Sequence, residues 1–226
     1  MGSFNGVRPD GRIDVLPDDM TSITHHPNGA ARSSEDDAPN GWTTHSRSTV
    51  LVVGHVRVET LDVGAPAGDR FEMPVVHHPA VAVALVVRDG KALVLRTYRH
   101  PVGRHGLELP GGLVEPGEEP AEAARRETGE ETGLRPDGPG RALLTFDPLP
   151  GVVAGQVHVH LWETDPVPTG APRDPLEPGR VDWLPLADVP RLAADGALLG
   201  SGTLVGLLQY LVETGPRLTG TAGSPP

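Results

Sequence analysis

Apolar and polar residues alternate in blocks along the middle of the chain, and these blocks predict most of its strands. Residues 80–87 are continuously apolar, as in a strand that is buried on both faces of a sheet. The Asp89-Gly90 step that follows is a strong hairpin signal and leads into the apolar run KALVLR. Three later runs have the composition of strands: ALLTF from Arg141 onward, QVHVHLWE and VDWL.

The first part of the chain lacks this pattern. Residues 1–46 are polar and rich in Gly, Pro, Ser, Asp and His, so we expect them to be mostly disordered. Order should begin near Thr49. Within VLVVGHVRVETLDV, Val56 and Val58 share one face and Glu59 lies on the other, which predicts a half-buried strand.

Three helices are predicted. The first is Pro120–Thr132, because proline suits the first turn of a helix and Gly133 suits the left-handed cap that ends it. The Pro- and Gly-containing segment before it, as far as Gly117, should be a loop. Apolar residues at helical spacing predict two later helices, around 186–194 and 202–213.

These elements indicate a single folded domain with appendages. Strands mixed with few helices favour an α/β fold in which a mixed sheet is covered by helices on its two faces. The predicted parts are a disordered segment at 1–46, an N-terminal strand segment at 47–76, a domain at 77–214 and a flexible tail at 215–226.

Composition excludes several classes of function. The chain has no cysteine, so disulfides, thiolate metal sites and cysteine nucleophiles are excluded. A formal net charge of −11 disfavours nucleic acid polymers, whose binding depends on neutralising phosphates, but it permits a small phosphorylated ligand. No segment has the length and hydrophobicity of a signal peptide or a membrane span, so we expect a cytoplasmic protein without a membrane partner.

The helix after Pro120 carries the strongest chemical signal. Glu127, Glu130 and Glu131 stand at i, i+3 and i+4, so their side chains should converge on one face. Carboxylates at this spacing repel each other, and Gly129 costs a further ~1 kcal/mol of helix stability relative to Ala. A divalent cation would remove the repulsion. The alternative is a solvated acidic face screened by two neighbouring arginines.

The surrounding residues favour the metal site, because they match a longer motif. The spacing is Gly, five residues, Glu, seven residues, Arg-Glu, two residues, Glu-Glu, one residue and Gly. The matching positions are Gly112, Glu118, Arg126, Glu127, Glu130, Glu131 and Gly133. The chain therefore resembles the Nudix hydrolase family. Thr128 departs from the family, which usually has an aliphatic residue there.

The resemblance implies a fold and a metal site. The fold would be the Nudix α/β/α sandwich with a mixed sheet and a small N-terminal β segment. Glu127 and Glu131 would bind Mg²⁺, or Mn²⁺ in its place, together with the backbone carbonyl of Gly111. Glu130 would be either a further ligand or the base that orients the attacking water.

The likeness extends to the ADP-ribose pyrophosphatase branch of the family over about residues 50–214. TYRHPVGRHGLELPGG is similar to the lead-in of that branch, and Pro150 lies near its characteristic proline. The substrate would then be ADP-ribose or a related nucleotide sugar. The branch also implies a homodimer in which residues 49–75 pack against the partner.

Four side chains around the motif have alternative roles. Arg99 is a candidate phosphate clamp or an exposed arginine at a strand end. Glu108 is a candidate contact for the base or ribose, or a structural residue. Arg126 should make a structural ion pair with Glu118, which is either purely structural or a support for the metal ligands.

The loop after Pro150 departs from the branch. It often supplies a catalytic glutamate there, but no carboxylate lies between Gly151 and Gln156 in this chain. The base is then Glu130, or a carboxylate such as Asp147 or Glu163 that reaches the site from elsewhere.

Three functions remain open on the sequence. The chain hydrolyses ADP-ribose or a related nucleoside diphosphate sugar to a nucleoside monophosphate and a sugar phosphate. Alternatively, it performs the same chemistry on a nucleoside triphosphate or an intermediate of specialised metabolism. A third function is nucleotide sensing without cleavage, against which the intact set of three glutamates argues.

Overall fold

The structure is a computed structural model that describes residues 36–38, 41–170 and 180–215 of the 226-residue chain. Its strands are β1 (Asp36–Ala38), β2 (Trp42–Val53), β3 (Val56–Gly64), β4 (Arg70–His77), β5 (Val81–Arg88), β6 (Lys91–Arg99), β7 (Arg104–Glu108), β8 (Gly111–Leu113), β9 (Leu134–Arg135), β10 (Arg141–Phe146), β11 (Val153–Ala154), β12 (Val157–Trp162), β13 (Val167–Pro168) and β14 (Arg180–Pro185). Its helices are α1 (Pro120–Thr132), α2 (Val189–Ala194) and α3 (Ser201–Thr214).

A mixed sheet forms the centre of the domain. Its strand order is β10-β12-β5-β6-β14, with β7 added to β6 and β8 added to β5. The β12–β5 pair is parallel, and the other pairs in this sheet are antiparallel. Helix α1 packs on one face and α3 on the other, which confirms the predicted α/β/α sandwich.

Strand β5 is buried on both faces, as its continuous apolar sequence predicts. Ala82 and Ala84 are fully buried and belong to the same core cluster as Ala123 and Ala124 of α1. The intervening residues belong to a second cluster, which includes Leu207 of α3. Small side chains at the first interface let α1 lie close to the sheet.

Helix α1 has the predicted bounds. Pro120 occupies its first turn, and Gly133 has φ 70° and donates its N–H to the carbonyl of Gly129. The preceding segment is not all loop, because β8 pairs with Val81–Val83 of β5. Thr128 is fully buried in α1, and its hydroxyl donates to the carbonyl of Ala124 at 2.6 Å, so the polar atom has a partner.

The N-terminal part forms a second sheet with the order β1-β2-β3-β4-β11. Regular structure begins before Thr49, since β2 starts at Trp42 and pairs along its length with β3. The predicted single strand is therefore a hairpin that turns at Gly54. Glu59 is buried rather than exposed, because its carboxylate accepts a hydrogen bond from His77 at 2.7 Å.

The late elements lie close to their predicted positions. A 3-10 turn at Leu186–Asp188 leads into α2, and α3 covers the second predicted helix. The predictions of disorder for 1–46 and of a flexible tail from 215 fall mostly outside the described residues. Within the described residues, no helix is long and apolar enough to cross a membrane.

Candidate functional site

A cavity of about 550 Å³ opens where β8 and α1 meet the start of β5 and the end of β6. This volume is in the range of sites that bind small molecules. Its wall contains most of the residues that the sequence marks as functional, together with two histidines. The side chains and glycines that matter below are His55, His78, Arg99, Gly111, Glu127 and Glu131.

Glu131 is held against the backbone of β8. One of its carboxylate oxygens accepts a hydrogen bond from the N–H of Gly111 at 2.8 Å. A Cβ at Gly111 would lie 2.3 Å from the carbonyl oxygen of Ala82, so only glycine permits this approach of β8 to β5. The same close packing brings the Gly111 backbone next to the carboxylate of α1.

Glu127 packs against the next residue of β8. A Cβ at Gly112 would lie 2.5 Å from the Glu127 carboxylate, so the glycine leaves the space that this carboxylate fills. Burial raises the pKa of Glu127, although the neighbouring Arg126 opposes the shift. Burial thus destabilises the ionised form, which a bound cation would stabilise.

Arg126 connects α1 to the chain before it. Its guanidinium donates to both carboxylate oxygens of Glu118, at 3.0 and 3.1 Å, and to the carbonyl of Leu113 at 3.1 Å. It also donates to Glu127 at 2.9 Å. The hydrogen bonds between Arg126 and Glu118 lower the pKa of Glu118 and raise the pKa of Arg126. The predicted ion pair is confirmed.

Glu130 lies apart from the other two carboxylates. It pairs with Arg126 at 3.2 Å, is 45% exposed, and lines a separate depression of about 180 Å³ beside Gly129. Among residues 41–170 and 180–215, no three His, Asp or Glu side chains form a group that could hold one metal ion. Arg126 donates from one nitrogen to both Glu127 and Glu130, at 2.9 and 3.2 Å, so these two carboxylates share a guanidinium, while Glu127 and Glu131 are the two of the three that line the cavity.

Arg99 and Glu108 form a close ion pair at the rim of the cavity. Arg99 ends β6 and Glu108 ends β7, and their side chains meet with nitrogen–oxygen distances between 2.7 and 3.1 Å. Arg99 lines the cavity and remains 37% exposed. The position of Arg99 thus fits both a phosphate clamp and an exposed arginine at a strand end. Glu108 orients its guanidinium.

The other carboxylates that were considered as bases lie elsewhere. Glu163 accepts a hydrogen bond from the Tyr210 hydroxyl at 2.8 Å and lines a different cavity, next to Trp162. Burial, with the adjacent Glu163, raises the pKa of Tyr210 to about 12, so the phenol remains a donor. Asp147 is exposed after β10 and does not line the cavity that contains Glu127 and Glu131.

His55 and His78 are functional candidates that the sequence interpretation missed. Their rings contact edge to face, with centroids 5.1 Å apart, and both line the cavity. His78 lies between β4 and β5, and His55 lies in the turn between β2 and β3. Only the folded hairpin brings them together, although the His77-His78-Pro79 sequence ahead of a buried strand was a usable signal.

Comparisons with known proteins agree with this geometry. The family model described as NUDIX domain matches residues 76–199. CMP-5'-(N-acetyl-N-hydroxy-3-aminopropyl)phosphonate hydrolase of Streptomyces rubellomurinus is 38% identical over 178 residues, which are 78% of this chain and 85% of that protein. ADP-ribose pyrophosphatase of Mycobacterium tuberculosis is 32% identical over 183 residues, which are 79% of this chain and 87% of that protein.

A solved structure shares the fold. The crystal structure of an ADP compounds hydrolase superimposes with a TM-score of 0.67 and covers 77% of this chain and 96% of its own. Its sequence identity of 23% makes this a likeness of fold alone.

We predict that Glu118→Gln lowers the free energy of unfolding by about 1–2 kcal/mol at pH 7, because a charge-assisted pair is weakened. The pKa of Glu118 is depressed in the folded state, so the pair stabilises the fold above the unfolded pKa, and this stability is lost as pH falls through the folded pKa. Urea unfolding of both proteins from pH 7 downward should show the difference shrinking below about pH 4. A difference that stays constant in acid would contradict this role.

Proposed function

Because the chain belongs to the Nudix hydrolase family, we propose that it hydrolyses the diphosphate bond of a small nucleoside diphosphate derivative at the cavity beside Glu127 and Glu131. The observation that carries this function is the pair of carboxylates in the wall of that cavity, of which one accepts a hydrogen bond from Gly111 and the other fills the space beside Gly112. Arg99 lies in the same wall, so anionic and cationic groups face one space.

The residues present fit a divalent cation, on which Nudix hydrolases generally depend. Carboxylate and carbonyl oxygens are the ligands of hard cations, and desolvation of Glu127 favours a cation beside it. Glu127, Glu131 and the carbonyl of Gly111 would hold Mg²⁺, or Mn²⁺ in its place. When bound, the cation neutralises diphosphate charge and makes water easier to deprotonate.

Protein side chains do the remaining work of binding. The guanidinium of Arg99 matches the geometry of phosphate oxygens, and its pair with Glu108 restricts its orientation before the substrate arrives. Glu108 thus acts through Arg99, which matches the structural role considered for it, and its contact with the base or ribose stays a prediction. Arg126 holds Glu127 in place through a hydrogen bond of 2.9 Å.

Two substrates agree with the relatives. One is ADP-ribose or a nucleotide sugar, which would yield a nucleoside monophosphate and a sugar phosphate. The other is a nucleotide derivative of specialised metabolism, which the 38% identity to a hydrolase of a CMP phosphonate over 85% of that protein favours. Both would place a nucleotide's phosphate against the same pair of carboxylates.

We predict Mg²⁺-dependent release of a nucleoside monophosphate from at least one member of a panel. The panel contains ADP-ribose, ADP-, CDP- and UDP-sugars, a CMP–alkylphosphonate anhydride and nucleoside triphosphates, and products are separated by chromatography. Binding of these compounds without any product would indicate a sensor and would contradict the hydrolase function.

Matched glutamate variants locate the activity in the cavity. Glu127→Gln and Glu131→Gln should each lower kcat by about 10²-fold or more while the protein stays folded, because each removes a charge with little change of volume. Glu122→Gln on the same helix is the control, since Glu122 is exposed and pairs only with Arg125 among the contacts of its side chain that are described. Equal losses in all three variants would count against a specific site.

We also propose a homodimer in which residues 49–75 pack against the partner. Four consecutive apolar residues at the end of β2 are exposed, with fractions of 64% for Val50, 53% for Leu51, 49% for Val52 and 63% for Val53. A run of exposed apolar side chains supports an interface, and two-fold dimers are the commonest oligomers.

Val50→Arg together with Val53→Arg is expected to convert the dimer to a monomer, because two charges per subunit would be buried at the interface. Sedimentation equilibrium at micromolar concentration measures the mass. Val212→Arg is the control, because Val212 is 77% exposed on α3, outside the N-terminal sheet. A wild-type protein that sediments as a monomer would refute the dimer.

A further inference from the structure

On the basis of the function proposed above, we propose that His78 is a catalytic residue that accepts the proton of the attacking water. Hydrolysis of a diphosphate at neutral pH benefits from a proton acceptor in the site, and imidazole is the side chain that most often serves. His78 lies in the wall of the cavity that contains Glu127 and Glu131.

The carboxylates near the cavity have other partners. Glu131 accepts a hydrogen bond from the backbone of β8, and Glu127 accepts one from Arg126. Glu130 faces a different depression, and Glu163 is held by Tyr210. Of the residues that line the cavity, the imidazoles are therefore the groups best suited to accept a proton.

A hydrogen bond fixes the tautomer of His78. Its Nδ1 lies 2.8 Å from the carbonyl oxygen of Pro79. A carbonyl oxygen can only accept, so Nδ1 carries the hydrogen and donates it. In the neutral ring the lone pair is then on Nε2, which is the atom available to take a proton.

The surroundings hold the backbone of His78, and a second ring contacts its side chain. The backbone N–H of His78 donates to the carbonyl of Ala154 at 3.1 Å. A Cβ at Gly155 would lie 2.5 Å from the carbonyl oxygen of His78. The rings of His55 and His78 contact edge to face, with centroids 5.1 Å apart. The loop at 151–156, which lacks a carboxylate, thus serves to position His78.

The proposed step balances in atoms and charge. The water oxygen forms a bond to one phosphorus, and the bond from that phosphorus to the bridging oxygen breaks. The bridging oxygen leaves with the other phosphate group as its anion. The water proton passes to Nε2 of His78 and is afterwards released to solvent, so that the residue returns to its neutral form.

Three substitutions at His78 separate proton transfer from other roles. His78→Asn keeps an amide near the position of Nδ1 for the Pro79 carbonyl, and His78→Gln places an amide near the position of Nε2. Neither amide accepts a proton, so both variants should lose about 10²–10⁴-fold in kcat with KM close to that of the wild type. His78→Gly should regain activity in a saturable manner when imidazole is added.

The control and a measurement without turnover complete the test. His105→Gln should keep wild-type kcat, since His105 is exposed and contacts Tyr98 outside the cavity. Nitrogen-15 NMR of the free protein should show the hydrogen of neutral His78 on Nδ1. Thermal unfolding verifies that each variant is folded, and in folded His78→Gly the rescue by imidazole is the deciding measurement.

Several results would overturn the role of His78. Wild-type kcat in His78→Asn would show that His78 has only a structural role. Wild-type kcat with raised KM in His78→Gln would show that His78 only binds the substrate. A hydrogen on Nε2, or no rescue of His78→Gly by imidazole, would also contradict it. Each of these leaves the hydrolase function intact, whereas a wild-type protein inactive on every substrate would reject both.

Discussion

The close packing of β8 between β5 and α1 is the constraint on which the rest of the site depends. Glycine at 111 and 112 lets the backbone of β8 reach within van der Waals distance of the β5 backbone on one side and of two carboxylates on the other. A side chain at either position would separate β8 from β5 or from the carboxylates of α1. The side chains of Glu127 and Glu131 therefore lie at a cavity wall whose position is set by the main chain. Such a wall is more rigid than one made of side chains.

Ion pairs divide the charged residues of the site into groups with different roles. Arg126 joins Glu118, Glu127 and Glu130, and so fixes α1 to the preceding loop. Glu130 lines a depression separate from the cavity. Arg99 is held by Glu108 at the opposite rim. The desolvation energy that such pairs cost offsets part of their attraction, and the pairs also restrict long side chains that would otherwise be mobile.

The sequence predicted the parts of the fold that local rules control. The bounds of α1 follow from proline and glycine at its ends, the β5–β6 hairpin follows from Asp89-Gly90, and the burial of β5 follows from its apolar run. Helical spacing alone did not reveal that Glu130 lines a depression separate from the cavity, because that depends on rotamers and competing partners. Glu59 and the two cavity histidines were missed for a similar reason: their partners are distant in sequence and meet only through the pairing of β2, β3 and β4.

The account depends on a divalent cation bound where β8 meets α1, and a binding isotherm tests this without turnover. Mn²⁺ is titrated into the wild-type protein and into the Gly112→Ala variant. The wild-type cavity has space for the Glu127 carboxylate, whereas in the variant a methyl group would lie 2.5 Å from that carboxylate. We expect saturable binding to the wild-type protein, and binding weakened at least about tenfold in a variant that remains folded, since a displaced ligand loses its geometry. Equal affinity in the two proteins, or no binding to the wild type, would contradict the site.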